Sequence, residues 1–165
     1  MLDLESLFFH FETGLKLEPG LGIHLLITNI DSNSRKVNLF NYISSLKWKK
    51  FDKNIHEGNS SDYDYVLITD IQKPIDLYSH LWSHKERIII FESEKILSSK
   101  WYTNILAGAV CSSPDSCRKW NVSYEGKDDF IFSGRCIILT SQTLSDLKKI
   151  DRMEYIIRDT FKSGD

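Results

Sequence analysis

The sequence predicts an α/β fold in three layers, with a mostly parallel β-sheet and helices on both of its faces. Short, continuously apolar stretches recur along the chain, and such stretches are typical of strands that are buried on both faces. Amphipathic stretches at helical spacing separate them, and this alternation is typical of βαβ units. The 165 residues, of which 41% are hydrophobic and 27% charged, favour a single domain that spans residues 1–165.

The first three elements are predicted to be a helix, a strand and a helix. LDLESLFFHFETGL places its leucines and phenylalanines at helical spacing, and Gly14 ends that helix. After the turn EPGLG, the run IHLLITNI is short and almost continuously apolar, which predicts a buried strand. SRKVNLFNYISSL then predicts a helix whose inward face carries Val37, Phe40 and Ile43.

The remaining elements continue the alternation. DYVLITDI predicts a second buried strand, and KPIDLYSHLWSHK predicts a helix with Pro74 in its first turn and Leu77, Leu81 and Trp82 facing inward. RIIIFE is the most β-branched run and predicts the third strand, and SSKWYTNILAGAV predicts the helix that follows it. GRCIILTS predicts a fourth strand. LSDLKKIDRMEYIIRDTF closes the chain with a helix, or with a helix and a short strand.

Charge and hydropathy exclude several classes of protein. With 21 basic and 23 acidic side chains the net charge is -2, which argues against a dedicated nucleic-acid-binding domain. KWKKFDK interleaves Lys47, Lys49 and Lys50 with aromatic residues, and we interpret it as a solvated element end rather than a nucleic-acid patch. No apolar run has the length of a membrane span, and the N-terminus lacks the basic start of a signal peptide. A cytoplasmic protein that does not bind membranes is expected.

Cysteines and histidines indicate neither a disulfide framework nor a metal site. Cys111, Cys117 and Cys136 lack CxxC spacing, and the apolar surroundings of Cys111 and Cys136 predict buried, unreactive thiols. His80 and His84 have i, i+4 spacing, but no acidic or cysteine partner is linked to them, which favours a surface pair. The four tryptophans are predicted to pack in the core or at its rim.

Polar residues follow each predicted strand, where parallel sheets bind their ligands. The first of these loops lies where a phosphate-binding loop would lie, and such a loop needs glycines, then a lysine and a hydroxyl residue. Aligned with GxxxxGK[ST], Asn29 and Ser34 replace the glycines, Arg35 replaces the lysine and Lys36 replaces the hydroxyl residue. Taken alone, this stretch is better explained as a plain strand-to-helix turn.

Three longer stretches, taken in order, add to this pattern. KPIDLYSHLWSHKERIIIFESEKIL, NILAGAV and FIFSGRCIILTSQTL resemble the core of AAA+-type P-loop ATPases of bacteriophages and related elements, over roughly residues 22–158. The resemblance implies a P-loop NTPase-like fold. In that alignment Glu92 stands at the first Walker B aspartate, Ser93 at the second acidic residue, and Ser141 at the sensor asparagine.

These departures fall on every position that would carry phosphoryl transfer, which depends on a positioned metal, water and phosphate. The resemblance therefore implies a pseudo-ATPase without catalytic residues or a metal, and with weak ATP and magnesium binding at most. It implies a scaffold or regulatory subunit in DNA replication or DNA handling. Another protein or a second copy would be its partner, and contact with nucleic acid would be indirect. Glu94 could replace the lost acidic residue only if the turn were rebuilt.

Two alternatives remain open. DYVLITDIQKP is similar to the phosphoacceptor strand of response regulators, with Asp70 as the acceptor, but only Asp31 stands where an acidic pair should follow the first strand. Asp70 could instead cap the following turn. The second alternative is a protein that binds nucleotides without hydrolysing them. In addition, folds without a phosphate loop, RecA-like subunits of hetero-oligomeric complexes among them, would give the same strand pattern.

Overall fold

The structure is a computed structural model that describes residue 6 and residues 24–30, 33–53, 62–111, 121–151 and 153–163. At 33–35 and 161–163 it describes the backbone alone. The predicted N-terminal helix therefore lies almost entirely outside the described residues, as do Cys117 and Trp120. In chain order the elements are β1 (His24–Ile27), α1 (Asn33–Ser45), β2 (Tyr65–Ile68), α2 (Pro74–Ser83), β3 (Ile88–Phe91), a 3₁₀ helix (Glu94–Leu97), α3 (Lys100–Val110), β4 (Asn121–Val122), β5 (Phe130–Ile131), β6 (Arg135–Leu139), α4 (Leu144–Leu147), α5 (Met153–Arg158) and β7 (Thr160–Ser163).

The main sheet is parallel throughout and has five strands in the order β2-β3-β6-β1-β7. The four predicted buried strands are confirmed as β1, β2, β3 and β6. The short strand that the C-terminus could form is β7, which pairs with β1. The antiparallel pair of β4 and β5 was not predicted, and with two residues in each strand it is too short to show a period of two.

Alternate residues of the strands face two separate cores, so helices cover both faces of the sheet. Leu25 and Ile27 of β1 pack with Leu39 and Ile43 of α1 on one face. Leu26, which points the opposite way, belongs to the larger core that α2, α3 and α5 complete. The predicted α/β class with a parallel sheet between helices is therefore confirmed.

The faces of two helices differ from the predicted ones. In α1 the residues buried against the sheet are Leu39 and Ile43, at i, i+4 spacing, and Val37 is exposed. In α2 the ring of Trp82 contacts Phe130 of the β4–β5 pair at 5.1 Å, lies under the Lys85 ammonium group, and is 43% exposed as a residue. Trp101 of α3 is 68% exposed, so the prediction that it packs in the core or its rim is wrong.

The prediction that His80 and His84 form a surface pair is also wrong, because His84 is buried and only 6% exposed. Its Nδ1 lies 2.6 Å from the hydroxyl of Tyr63, and the ring of Phe51 packs edge-on at 5.0 Å. Burial, together with the positive charges of His80 and Arg87, lowers the pKa of His84 to about 4. The neutral imidazole is therefore a packing group of the core.

Lowering the pH is expected to decrease the free energy of unfolding, because His84 is buried in its neutral form. The unfolded state takes up a proton near the ordinary pKa of 6.5 and the folded state only near 4, so stability is full above about pH 6.5 and falls as the pH drops toward 4. One proton limits this slope to about 1.4 kcal/mol per pH unit. Urea unfolding of the wild type and of His84→Gln at neutral and mildly acidic pH would measure it. An NMR titration that gives His84 an ordinary pKa would contradict the prediction.

Candidate functional site

The loops that follow β1, β3 and β6 meet at one edge of the main sheet, because these strands are parallel neighbours in the order β3-β6-β1. The residues of the predicted vestigial nucleotide site all belong to these loops or to the start of α1. We call this region the carboxyl edge. Within the described part of the chain it comprises residues 28–30, 36, 92–94 and 140–142.

The loop after β1 is bonded to the loop after β6. Asn29 has a left-handed backbone, with φ of 53°, which asparagine tolerates better than most residues. Its N–H donates to the carbonyl oxygen of Gln142 at 2.9 Å, and the N–H of Ile30 donates to the carbonyl oxygen of Thr140 at 2.9 Å. In a phosphate-binding loop such N–H groups point at the phosphates. Here the protein's own carbonyl groups accept from both of them.

Lys36 connects α1 to the loop after β3. Its ammonium group donates to the Glu92 carboxylate, and the two side chains are 43% and 29% exposed. The backbone of Glu92 is fixed as well, because its N–H donates to the Ile68 carbonyl oxygen at 2.9 Å. An ion pair this accessible to water contributes about 1 kcal/mol or less to stability. Its effect is that the Lys36 ammonium group and the Glu92 carboxylate bind each other.

Glu94 makes the most extensive side-chain contacts at the carboxyl edge. One of its oxygens accepts from the Thr140 hydroxyl at 2.7 Å, and the other accepts from the Ser141 N–H at 2.6 Å. Thr140 is fully buried, and its hydroxyl oxygen in turn accepts from the Gln142 N–H at 3.1 Å. Glu94 therefore holds the loop after β3 against the loop after β6. Sequence analysis placed it next to the Walker B positions but did not predict this contact.

The other residues of the predicted site take less specific positions. Ser93 precedes the 3₁₀ helix in an extended conformation and makes no capping hydrogen bond with its side chain. Ser141 is exposed and contributes its backbone N–H to Glu94. Ser34 and Arg35 lie in the first turn of α1, and their side chains lie outside the described ones. Asn29, Lys36, Glu92, Ser93 and Ser141 are thus brought to one edge, as predicted for a site that three strands share.

The chemistry open to this arrangement is limited by its hydrogen bonds. An anion would have to compete with two carbonyl groups for the N–H groups of Asn29 and Ile30, and with Glu92 for the ammonium group of Lys36. A divalent cation would need oxygen ligands, but Glu94 already accepts hydrogen bonds from Thr140, Ser141 and Gln142. Within the described residues, these donors and acceptors of the carboxyl edge therefore already have partners in the protein.

Asp70, the alternative phosphoacceptor, follows β2, the strand at the border of the sheet, next to the loop after β3. It accepts a hydrogen bond from the side-chain amide of Gln72. The cap of α2 is Asp76, whose carboxylate accepts from the N–H groups of Gln72 and Lys73 at 2.9 Å each. These bonds lower the pKa of Asp76. The suggestion that Asp70 caps this turn is therefore wrong.

One lysine of KWKKFDK, Lys49, lies close to acidic residues. The Lys49 ammonium group pairs with Asp62 at 2.8 Å, and the Lys49 N–H donates to the Asp64 carboxylate at 2.7 Å. Lys50 forms a backbone bridge with Tyr65 at the start of β2. Asp62 thus offsets the charge of Lys49, and the stretch contacts the sheet at Lys50, which agrees with its interpretation as an element end.

The described cysteines are buried, and the described residues hold no cluster of metal ligands. Cys111 and Cys136 are buried, as predicted, and burial raises the pKa of Cys111 to about 12, which keeps that thiol protonated. In the part of the chain that the structure describes, no group of three or more His, Cys, Asp or Glu side chains could hold a metal ion. Likewise, none of the described helices is long and apolar enough to cross a membrane.

No family model, no curated protein and no solved structure matches the sequence or the fold. What the fold establishes is an α/β architecture with a parallel sheet between helices, and the AAA+ resemblance stays a prediction.

Proposed function

We propose that the chain is a catalytically inactive relative of AAA+-type P-loop ATPases and acts as a scaffold or regulatory subunit in a protein complex. The observation that carries the proposal is the internal bonding of the carboxyl edge. Among the described residues of this edge, donors and acceptors are bonded to each other, through Asn29, Lys36 and Glu94. The assignment of the chain to DNA replication or DNA handling rests on the resemblance alone.

The strand order supports this reading over the receiver-like alternative. In the flavodoxin-like order that receiver domains share, 2-1-3-4-5, the first strand lies between the second and the third. In this chain β1 lies between β6 and β7, and β2 is at the border of the sheet. The loops that the resemblance aligns with Walker A, Walker B and the sensor instead follow three adjacent strands.

Because the chain is proposed to be inactive, we expect it to bind a protein partner or a second copy of itself. An ATPase core that does no chemistry is useful through its surface, and in AAA+ rings neighbouring subunits meet at the nucleotide site. Direct binding to DNA is less favourable, because it needs clustered basic side chains, and the net charge is -2. Light scattering coupled to size-exclusion chromatography would test self-association.

The purified protein is expected to release phosphate from ATP or GTP only at background rate in the presence of magnesium. The reason is that Ser93 and Ser141 offer no carboxylate or amide to orient water, and Lys36 is paired with Glu92. A steady-state phosphate-release assay checks this. Turnover that Glu92→Gln or Glu94→Gln abolishes would contradict the proposal, because a contaminating ATPase would not respond to either substitution.

Nucleotide affinity is expected to be weak for a related reason. ATP would have to displace hydrogen bonds that the loops after β1 and β6 already make. Calorimetric titration with ATP and magnesium should therefore show no binding below the millimolar range. A micromolar dissociation constant that Lys36→Ala abolishes, while Lys47→Ala leaves it unchanged, would show that the edge still binds phosphate and would favour binding without hydrolysis.

A further inference from the structure

The loop after β6 is short, and it is fixed at both of its ends. We call its residues 140–142 the strap. At the start of the strap, the Thr140 N–H donates to the carbonyl oxygen of Ile27 at 3.0 Å, which continues the pairing of β6 with β1. Just beyond its end, the Thr143 hydroxyl accepts from the Asp146 N–H at 3.1 Å and caps α4. Because three residues join two fixed points, we expect them to move together.

The strap lies across the end of β1 in a way that a regular strand pair would not produce. In an evenly spaced parallel ladder, the Thr140 carbonyl oxygen would accept from the N–H two residues after Ile27, that of Asn29. It accepts instead from Ile30 at 2.9 Å, and the Asn29 N–H donates to the Gln142 carbonyl oxygen at 2.9 Å. The left-handed backbone of Asn29 shifts the bonding by one residue, as in a β-bulge. Both N–H groups therefore donate to the strap.

Glu94 holds the strap from the other side and bonds to each of its residues. The carboxylate accepts from the Thr140 hydroxyl at 2.7 Å, from the Ser141 N–H at 2.6 Å and from the Gln142 side-chain amide at 3.5 Å. Thr140 is fully buried, whereas Glu94 is exposed. The three strap residues are polar and belong to neither of the two described hydrophobic cores. The strap can therefore be released without opening either core.

We propose that the strap is a conformational latch, which Glu94 fastens over the N–H groups of Asn29 and Ile30, and which opens as one unit while the sheet stays folded. Segments with few buried apolar contacts commonly open in this way. Any ligand of these N–H groups would bind only the open fraction, so the latch lowers its apparent affinity by that fraction. The inference goes beyond the proposed function, because the latch would control access in an active or an inactive protein.

Hydrogen exchange of the wild type, followed by NMR in D₂O, tests whether the strap opens as one unit. The amides of Asn29, Ile30 and Ser141 should have similar protection and should respond little to low concentrations of urea, because a local opening exposes little surface. The amide of Ile90, a buried residue of β3, should be better protected and should respond steeply to urea, because it exchanges through global unfolding.

Glu94→Ala should speed the exchange of Asn29 and Ile30 by about tenfold or more. The hydrogen bonds of Glu94 are made to the strap, so the effect on these two amides is indirect and results from the release of the strap that accepts from them. Glu94→Gln keeps one oxygen acceptor and should recover part of the protection.

Two variants serve as controls. Glu92→Ala removes a carboxylate from the same loop but keeps every bond of the strap, so the exchange of Asn29 and Ile30 should be unchanged. Gly126→Ala strains a turn outside the carboxyl edge and lowers the stability of the whole fold. It should speed exchange at Ile90 and leave Asn29 and Ile30 unchanged.

Two results would overturn the proposal. Exchange of Asn29 and Ile30 in the wild type that depends on urea as steeply as that of Ile90 would mean that the strap opens only with the whole fold. Equal rates at Asn29 and Ile30 in Glu94→Ala and Glu92→Ala would mean that Glu94 does not fasten the strap. The first result needs the wild type alone, so it decides the matter even if Glu94→Ala fails to fold. Phosphate release by the wild type would contradict the proposed function without altering either result.

Discussion

Gly134→Ala is expected to destabilise the fold by about 3 kcal/mol or more, a large part of the stability of a typical domain. Gly134 precedes β6 and packs against the turn between α2 and β3. A Cβ atom there would overlap the carbonyl oxygen of Arg87 and lie 2.9 Å from its nitrogen. Because both neighbours are backbone atoms, no side-chain rotation can relieve the overlap.

The backbone around Gly134 would lose hydrogen bonds as it moved. Ser133 and Gly134 donate to the carbonyl oxygen of Lys85 at 2.9 and 2.8 Å, and Arg135 donates to that of Arg87 at 3.1 Å. These bonds fix the entry into β6, the strand between β1 and β3, so a shift here is transmitted to the centre of the sheet. Overpacking costs typically 1–3 kcal/mol when side chains can adjust, and more is expected where they cannot.

Urea unfolding of alanine variants at two other glycines provides a scale for this loss of stability. Gly108→Ala should also be strongly destabilising, since its Cβ would lie 2.5 Å from the Asn121 carbonyl oxygen. Gly126→Ala meets no atom within 4 Å and is strained only by its φ of 76°, so it should cost about 1 kcal/mol. If Gly134→Ala proved no more destabilising than Gly126→Ala, the close packing of Gly134 against the backbone of Arg87 would be incorrect.

The strands of the main sheet could be predicted because burial on both faces leaves a mark in the sequence. All four residues of β3, the run IIIF, are buried, and only a parallel sheet covered on both sides requires such a run. The exposed face of α1 was harder to predict. Val37 and Leu39 are similar in hydropathy, and only the position of β1 decides that Leu39 faces the core. The pair of β4 and β5 is too short to show a periodicity.

The carboxyl edge could be predicted only in outline. The rule that ligand sites follow parallel strands singles out these loops, but which of them are neighbours depends on the strand order. The contact of Glu94 with Thr140 joins residues 46 positions apart, and that of Lys36 with Glu92 joins residues 56 apart. Neither pair has a local spacing that a single sequence reveals, so the internal bonding of the edge is a property of the fold.

Glu94→Ala is expected to lower the free energy of unfolding by about 2 kcal/mol, and Glu92→Ala by less than about 1 kcal/mol. Removing Glu94 leaves the buried Thr140 hydroxyl without its acceptor and the Ser141 N–H without its carboxylate. An orphaned buried donor costs about 1–3 kcal/mol. Removing Glu92 opens an ion pair whose two side chains water already reaches, and such pairs contribute little.

The comparison of these two variants separates a structural role of the carboxyl edge from a catalytic one. Glu94→Gln keeps an acceptor for Thr140 and should recover part of the stability that Glu94→Ala loses, which a urea unfolding series at neutral pH would show. In a working ATPase, removing a carboxylate after this strand changes turnover, whereas here the change should appear in stability. Equal small losses from Glu92→Ala and Glu94→Ala would mean that Glu94 does not hold the two loops together.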